Sequence, residues 1–185
     1  MILPGRMTPA DARCLEAFPA WLKALADDAK KLAELVESTA APEGARRAAA
    51  SALNYLFKSL DLIPDGLEDI GFVDDAFVFR VAAARVSADD ASADARGTLA
   101  RLGAETALIE EFLGDVYPRL AAYVAELGKA KVRGRAVDDV LADATVLADF
   151  VRDARQWAEG YQPPAFYRDD KNLVKLRSFL NAKLK

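Results

Sequence analysis

Apolar residues keep helical phase through nearly the whole chain and nowhere alternate with period two. Leu99, Leu102, Thr106, Ile109, Leu113, Val116, Leu120, Val124 and Leu127 hold a single stripe from end to end. Earlier, Leu22, Leu25, Ala29, Leu32 and Val36 recur at three-four spacing, with Lys23, Asp27, Lys30, Lys31, Glu34 and Glu37 off the stripe. Side chains alternate across a strand but return to one helical face every three or four residues. The pattern therefore predicts an all-α protein, a helical bundle of six or seven helices built around a short helical hairpin. With 185 residues, 52% of them hydrophobic and 29% charged, the chain suits a single all-α domain over 1–185, with the hairpin core at 45–86.

Local signals divide the pattern. Thr8-Pro9-Ala10-Asp11 is a helix start: a hydroxyl cap, proline at the first helical position and an acid three residues after the cap. Pro19 is expected to interrupt that helix, and Pro42-Glu43 to start the next. The second helix should end near Leu60, because Ile63 precedes a proline and is pushed out of the α region. A helix follows over Phe72–Val86, with two acids in its first turn where the dipole favours them. Ser87 to Gly97 has no large apolar residue and should be exposed. The long stripe through Leu127 is either one helix kinked near Gly114–Pro118 or two helices meeting there. A basic loop, Gly128 to Arg135, precedes a helix striped by Val140, Ala144, Leu147, Val151, Ala154 and Ala158. A last helix from about Asp169 carries Leu173, Leu176, Leu180 and Leu184 on one face.

Composition removes several chemistries. Histidine is absent, which excludes Ser-His-Asp and Cys-His dyads and histidine-ligated metals. Cys14 is the only cysteine, so an inert buried thiol is expected. Met1 to Thr8 has no apolar signal region, and the longest uncharged run, Ala48–Phe57, is ten residues. A net charge of −4 argues against nucleic acid as a partner. The expected setting is the cytoplasm.

One stretch is unlike the rest. Tyr55 to Asp75 (Y-L-F-K-S-L-D-L-I-P-D-G-L-E-D-I-G-F-V-D-D) gathers Asp61, Asp65, Glu68, Asp69, Asp74 and Asp75 among apolar residues, with no base between Lys58 and Arg80. Leu53, Tyr55, Leu56, D-L-I-P-D at Asp61–Asp65 and G-F-V-D-D at Gly71–Asp75 resemble the YkvA-like family of bacterial domains of unknown function. The resemblance implies a helical hairpin and implies no reaction. Gly66 and Glu68 depart from that family's pattern and make the loop more polar.

Two readings of the acids stay open. Asp61, Asp65, Asp74 and Asp75 can bond backbone N–H groups of the turn and cap the next helix, with no ligand involved. Alternatively, Asp61, Asp65, Asp74 and Asp75 converge as oxygen ligands on a divalent cation, Mg²⁺ or Mn²⁺. Beyond Asp170 the chain has five bases and no acidic side chain. Leu173–Lys185 could thus contact an anionic membrane surface or dock on the acidic hairpin. The first functional expectation is a non-enzymatic helical protein that binds a protein partner or self-assembles as a homo-oligomer, with no cofactor. The first alternative is a divalent-metal-dependent, phosphohydrolase-like enzyme using the acidic hairpin, with Arg80 or Arg85 meeting a phosphate. The second is a peripheral membrane protein held by its basic C-terminal helix.

Overall fold

The structure is a computed structural model that describes residues 6–58, 61–86 and 93–185. The helices are α1 (Pro9–Glu37), α2 (Glu43–Leu56), α3 (Val73–Ala84), α4 (Ala93–Ala104), α5 (Thr106–Leu113), α6 (Tyr117–Glu126), α7 (Val137–Ala142), α8 (Ala144–Gly160) and α9 (Asp170–Lys183). Seven of them run ten residues or more. Among the described residues there is no strand, only an isolated bridge between Val132 and Arg135. The all-α bundle is therefore the fold. No helix among the described residues is long and apolar enough to cross a membrane.

α1 begins with the expected capping box: Thr8 Oγ1 accepts from the Asp11 N–H at 3.0 Å, and Asp11 Oδ2 accepts from the Thr8 N–H at 3.0 Å. Pro19 does not interrupt this helix. Phe18, Trp21 and Leu22 are buried around it, and Phe18 packs its ring at 5.0–5.2 Å from Trp21, Phe77 and Phe112. That burial on both sides of the proline outweighs one missing backbone donor.

α3 is the central helix. Every residue from Val73 to Ala83 is buried, so it has no solvent face, and its apolar residues run all the way round. Its charged residues are Asp74, Asp75 and Arg80. Arg80 is fully buried and partly supplied: Nε donates to Glu105 at 2.7 Å and Nη1 to the Ala76 carbonyl at 3.0 Å, the guanidinium sits 4.0 Å over the Trp21 ring, and Nη2, 3.9 Å from Asp28, has no hydrogen-bond partner. Burial, opposed by Glu105 and Asp28, lowers its pKa to about 10.

Three further boundaries differ from the pattern's reading. α2 ends at Leu56 rather than near Leu60, which lies outside the described residues. The long stripe is cut at Glu105, which neither reading of it expected; at Gly114 the reading of two helices holds, since its φ of +52° caps α5 before a 3₁₀ turn leads into α6. Pro118 sits in the first turn of α6 and kinks nothing. The helix expected over Val140–Ala158 is two helices, because Asp143 Oδ1 accepts from the N–H groups of Thr145 at 2.8 Å and Val146 at 3.1 Å and so caps α8. This leaves Ala144 exposed. Of the segment expected to be exposed, Gly97 is exposed within α4, and Ser87–Ser92 lie outside the described residues.

Candidate metal centre

The hairpin between α2 and α3 closes in steps. Leu62, Ile63 and Ile70 anchor it in the core. The Leu67 N–H donates to the Pro64 carbonyl at 3.1 Å, and the Gly71 N–H to the Leu67 carbonyl at 3.0 Å. A Cβ at Gly71 would lie 2.6 Å from the carbonyl oxygens of both Asp65 and Leu67, so only glycine lets the chain pass this close. Phe72 then turns the chain into α3 with a φ of +64°, its ring held edge-on against Trp157 at 5.9 Å and Tyr161 at 5.1 Å. That packing offsets the left-handed backbone. The first turn of α3 is thereby folded back against Asp65.

Three carboxylates meet there. Asp65, Asp74 and Asp75 each place one oxygen within 4.8 Å of the others. Asp74 is 0% exposed and Asp75 1%. Asp61 stands beside this set rather than in it.

The hydrogen bonds divide Asp74 into two halves. Its Oδ2 accepts from the Tyr55 hydroxyl at 2.5 Å and from the Ile63 N–H at 3.1 Å, and the Tyr55 oxygen in turn accepts from the Leu62 N–H at 2.9 Å. This half ties the turn together, as the structural reading of the acids expects. It does not cap α3, whose N-cap Phe72 has no side-chain hydrogen bond. The other half is unpartnered: Asp74 Oδ1, Asp75 Oδ2, Asp65 Oδ1 and Asp61 Oδ1 are all buried with no hydrogen-bond partner. Buried carboxylate oxygens normally have donors.

Electrostatics follow from that deficit. Burial pushes Asp75 well above the ordinary carboxylate range, and the charges of Asp74, Asp65 and Asp61 add to it. Burial and the charges of Asp65 and Asp74 raise Asp61 to about 8, against the pull of Lys58. Asp65 is raised by burial and relieved by its bond to Asp61. Asp74 is raised by burial and relieved by Tyr55 and Ile63. Arg80, on the same helix, is neutralised by Glu105 and Asp28, so it offers these carboxylates no counter-charge and cannot meet a phosphate. Arg85 lines a different cleft, with Arg47, Ser51 and Lys129. Oxygen-only donors of this kind suit Mg²⁺, Mn²⁺ or Ca²⁺.

Pattern reading missed several residues here. Tyr55, part of the family signature but given no role there, orients Asp74 through its hydroxyl. Lys131 and Arg133 come from a loop far along the chain, yet they share with Lys58, Asp65 and Trp157 a cleft of about 680 Å³ that opens beside the centre.

The basic C-terminal helix is docked. Leu173, Leu176, Leu180 and Leu184 are buried, Lys175 Nζ bonds Asp69 at 2.7 Å on the hairpin, and Arg177 bonds Asp11 at 2.6 Å. The leucine face that a membrane contact would use is covered by the bundle, which leaves Val174 as its exposed large apolar residue, at 60%.

Residues 45–80 match the model of a family described as protein of unknown function (DUF1232). The match covers α2 from Ala45 on, the hairpin and the first two turns of α3, and so contains Tyr55, Gly71 and all four aspartates, but neither Lys131 nor Arg133. No curated protein and no solved structure matches the chain.

Proposed function

We propose that the hairpin is of the YkvA-like kind, as the order D-L-I-P-D … G-F-V-D-D suggests, and that it binds a divalent cation through Asp65, Asp74 and Asp75. The observation that carries this reading is the set of buried carboxylate oxygens left without donors on three side chains that approach within 4.8 Å. A cation would neutralise the mutual repulsion that otherwise forces protons onto the cluster. Asp74 is suited to the task because Tyr55 and Ile63 hold its Oδ2 in place while its Oδ1 is buried without a donor. Three protein oxygens leave roughly three positions of an octahedral Mg²⁺ or Mn²⁺ for water or a ligand. Cation binding is put ahead of partner binding and self-assembly because the convergence is specific to these side chains. The bacterial cytoplasm is the setting this reading carries with it.

The test is thermal unfolding of metal-free protein titrated with Mg²⁺, Mn²⁺ and Ca²⁺, with calorimetry alongside. A saturable rise in melting temperature is expected. Asp75→Asn and Asp65→Asn should each abolish the rise while stabilising the metal-free protein. If millimolar metal changes neither melting temperature nor heat, the reading fails.

A further inference from the structure

The cleft beside the aspartates is built from parts that the centre itself does not use. Its volume is about 680 Å³, and its walls carry Lys58, Lys131 and Arg133 against a single acid, Asp65. Asp65 is also one of the three converging carboxylates, so it stands at the boundary between the acidic centre and the basic cleft.

Two of the three cations are held in place. The Arg133 guanidinium lies 4.7 Å over the Phe57 ring, which fixes the plane of its fork. It gets there through a tight turn in which the Val132 N–H donates to the Arg135 carbonyl at 3.0 Å and the Arg135 N–H donates back to Val132 at 3.2 Å. That turn puts Arg133 at a φ of +52°, a left-handed conformation that a side chain other than glycine adopts reluctantly. Lys58 Nζ donates to the Tyr123 hydroxyl at 2.6 Å and sits 4.9 Å from the centre of its ring. Lys131 is exposed on the same turn.

We infer that the cleft takes a phosphate-bearing anion, one end of which completes the coordination of a cation on Asp65, Asp74 and Asp75 while Arg133 and Lys131 bind the remaining oxygens. The inference rests on the cation reading above. The chemistry favours phosphate over a carboxylate ligand. A cation with about three open positions, a planar guanidinium fork and two ammonium groups together match a tetrahedral dianion with several oxygens to share. Without the cation, Asp65 would repel such an anion at close range. Phe57 and Trp157 supply an apolar wall for whatever group the phosphate carries. The source is taken to be a soluble phosphate rather than a lipid headgroup, because Glu68 is exposed on the adjacent hairpin and the chain carries a net charge of −4.

Mn²⁺ serves as both cation and probe. Full-length protein is first titrated with Mn²⁺ alone, then the loaded protein with pyrophosphate and inorganic phosphate, reading ³¹P line broadening and calorimetric heat. Pyrophosphate should bind only when Mn²⁺ is present and should be broadened by it. Arg133→Ala and Lys131→Ala should each weaken pyrophosphate by about tenfold or more while leaving Mn²⁺ affinity unchanged. If Mn²⁺ binds but pyrophosphate does not, or binds equally well to both variants, the phosphate assignment falls and the cation reading survives. If Mn²⁺ itself does not bind, both fall. Sedimentation with phosphatidate vesicles should show no metal-dependent binding; binding to vesicles and to neither soluble probe would overturn the assignment to soluble phosphate.

Discussion

Tyr55→Phe removes one oxygen from the core of the hairpin and tests whether that oxygen is the clasp between its two halves. Tyr55 is 1% exposed, donates to Asp74 and accepts from the Leu62 N–H, so two hydrogen bonds go with the hydroxyl. The bond to the carboxylate is worth about 1.5–3 kcal/mol, and the stranded Leu62 N–H costs a further ~1–3 kcal/mol. Phenylalanine keeps the ring and is the less polar side chain, which offsets part of this; the net loss should be about 3 kcal/mol. In a chain of this length that corresponds to a fall in melting temperature of roughly 6–12 °C. Urea unfolding with an unchanged m-value would isolate the effect as stability. Mn²⁺ affinity should fall about 10–100-fold, since Asp74 loses the group that orients it. A loss of stability below about half a kcal/mol would refute the reasoning, because neither buried group could then depend on the hydroxyl.

Other expectations follow from the same geometry. Gly71→Ala drives a methyl to 2.6 Å from two backbone carbonyls and should destabilise by about 1–3 kcal/mol or more, measurable by denaturant unfolding. Pro118→Ala, in the first turn of α6, restores no helical hydrogen bond and should cost about 0.4–1 kcal/mol through the looser unfolded chain; stabilisation would mean the proline strains the helix. The metal-free protein should lose stability as pH rises above about 5 toward 8. Asp61 is raised from 3.8 to about 8, so over that window the folded state keeps a proton the unfolded chain has already released. Asp75 acts in the same direction, raised by burial and its carboxylate neighbours. Asp69, held low by Lys175, and Asp11, held low by Arg177 and Thr8 against its burial, act oppositely, but their contribution is lost only as pH falls below the ordinary carboxylate range. Saturating Mn²⁺ should flatten the part of the slope that comes from Asp75, because bound cation keeps its ligands deprotonated, and should lower Asp61 through its charge; equal slopes with and without metal would count against the centre.

The helical phase of the segments was legible in the sequence, though several of their ends were not. Three-four spacing of leucine and alanine, the Thr8–Asp11 capping box and the paired acids opening α3 all act within a turn or two of chain, where backbone geometry alone sets which side chains share a face. The sequence also marked the four aspartates, since six acids within Tyr55–Asp75 and no base between Lys58 and Arg80 is a local property. It misled where burial overrode a local preference, as when Phe18, Trp21 and Leu22 carried α1 through Pro19, and where a short side chain had two local uses, as when Asp143 capped α8 instead of lying within one helix. Tertiary structure alone decided what the aspartates face. Arg80 is the nearest base after them in sequence, yet it is drawn to Asp28 and Glu105, while Lys131 and Arg133 arrive from a distant loop to line the cleft beside Asp65. Coulombic pairing depends on distance through space, and no spacing along the chain records which charges the packing of nine helices among the described residues will bring together.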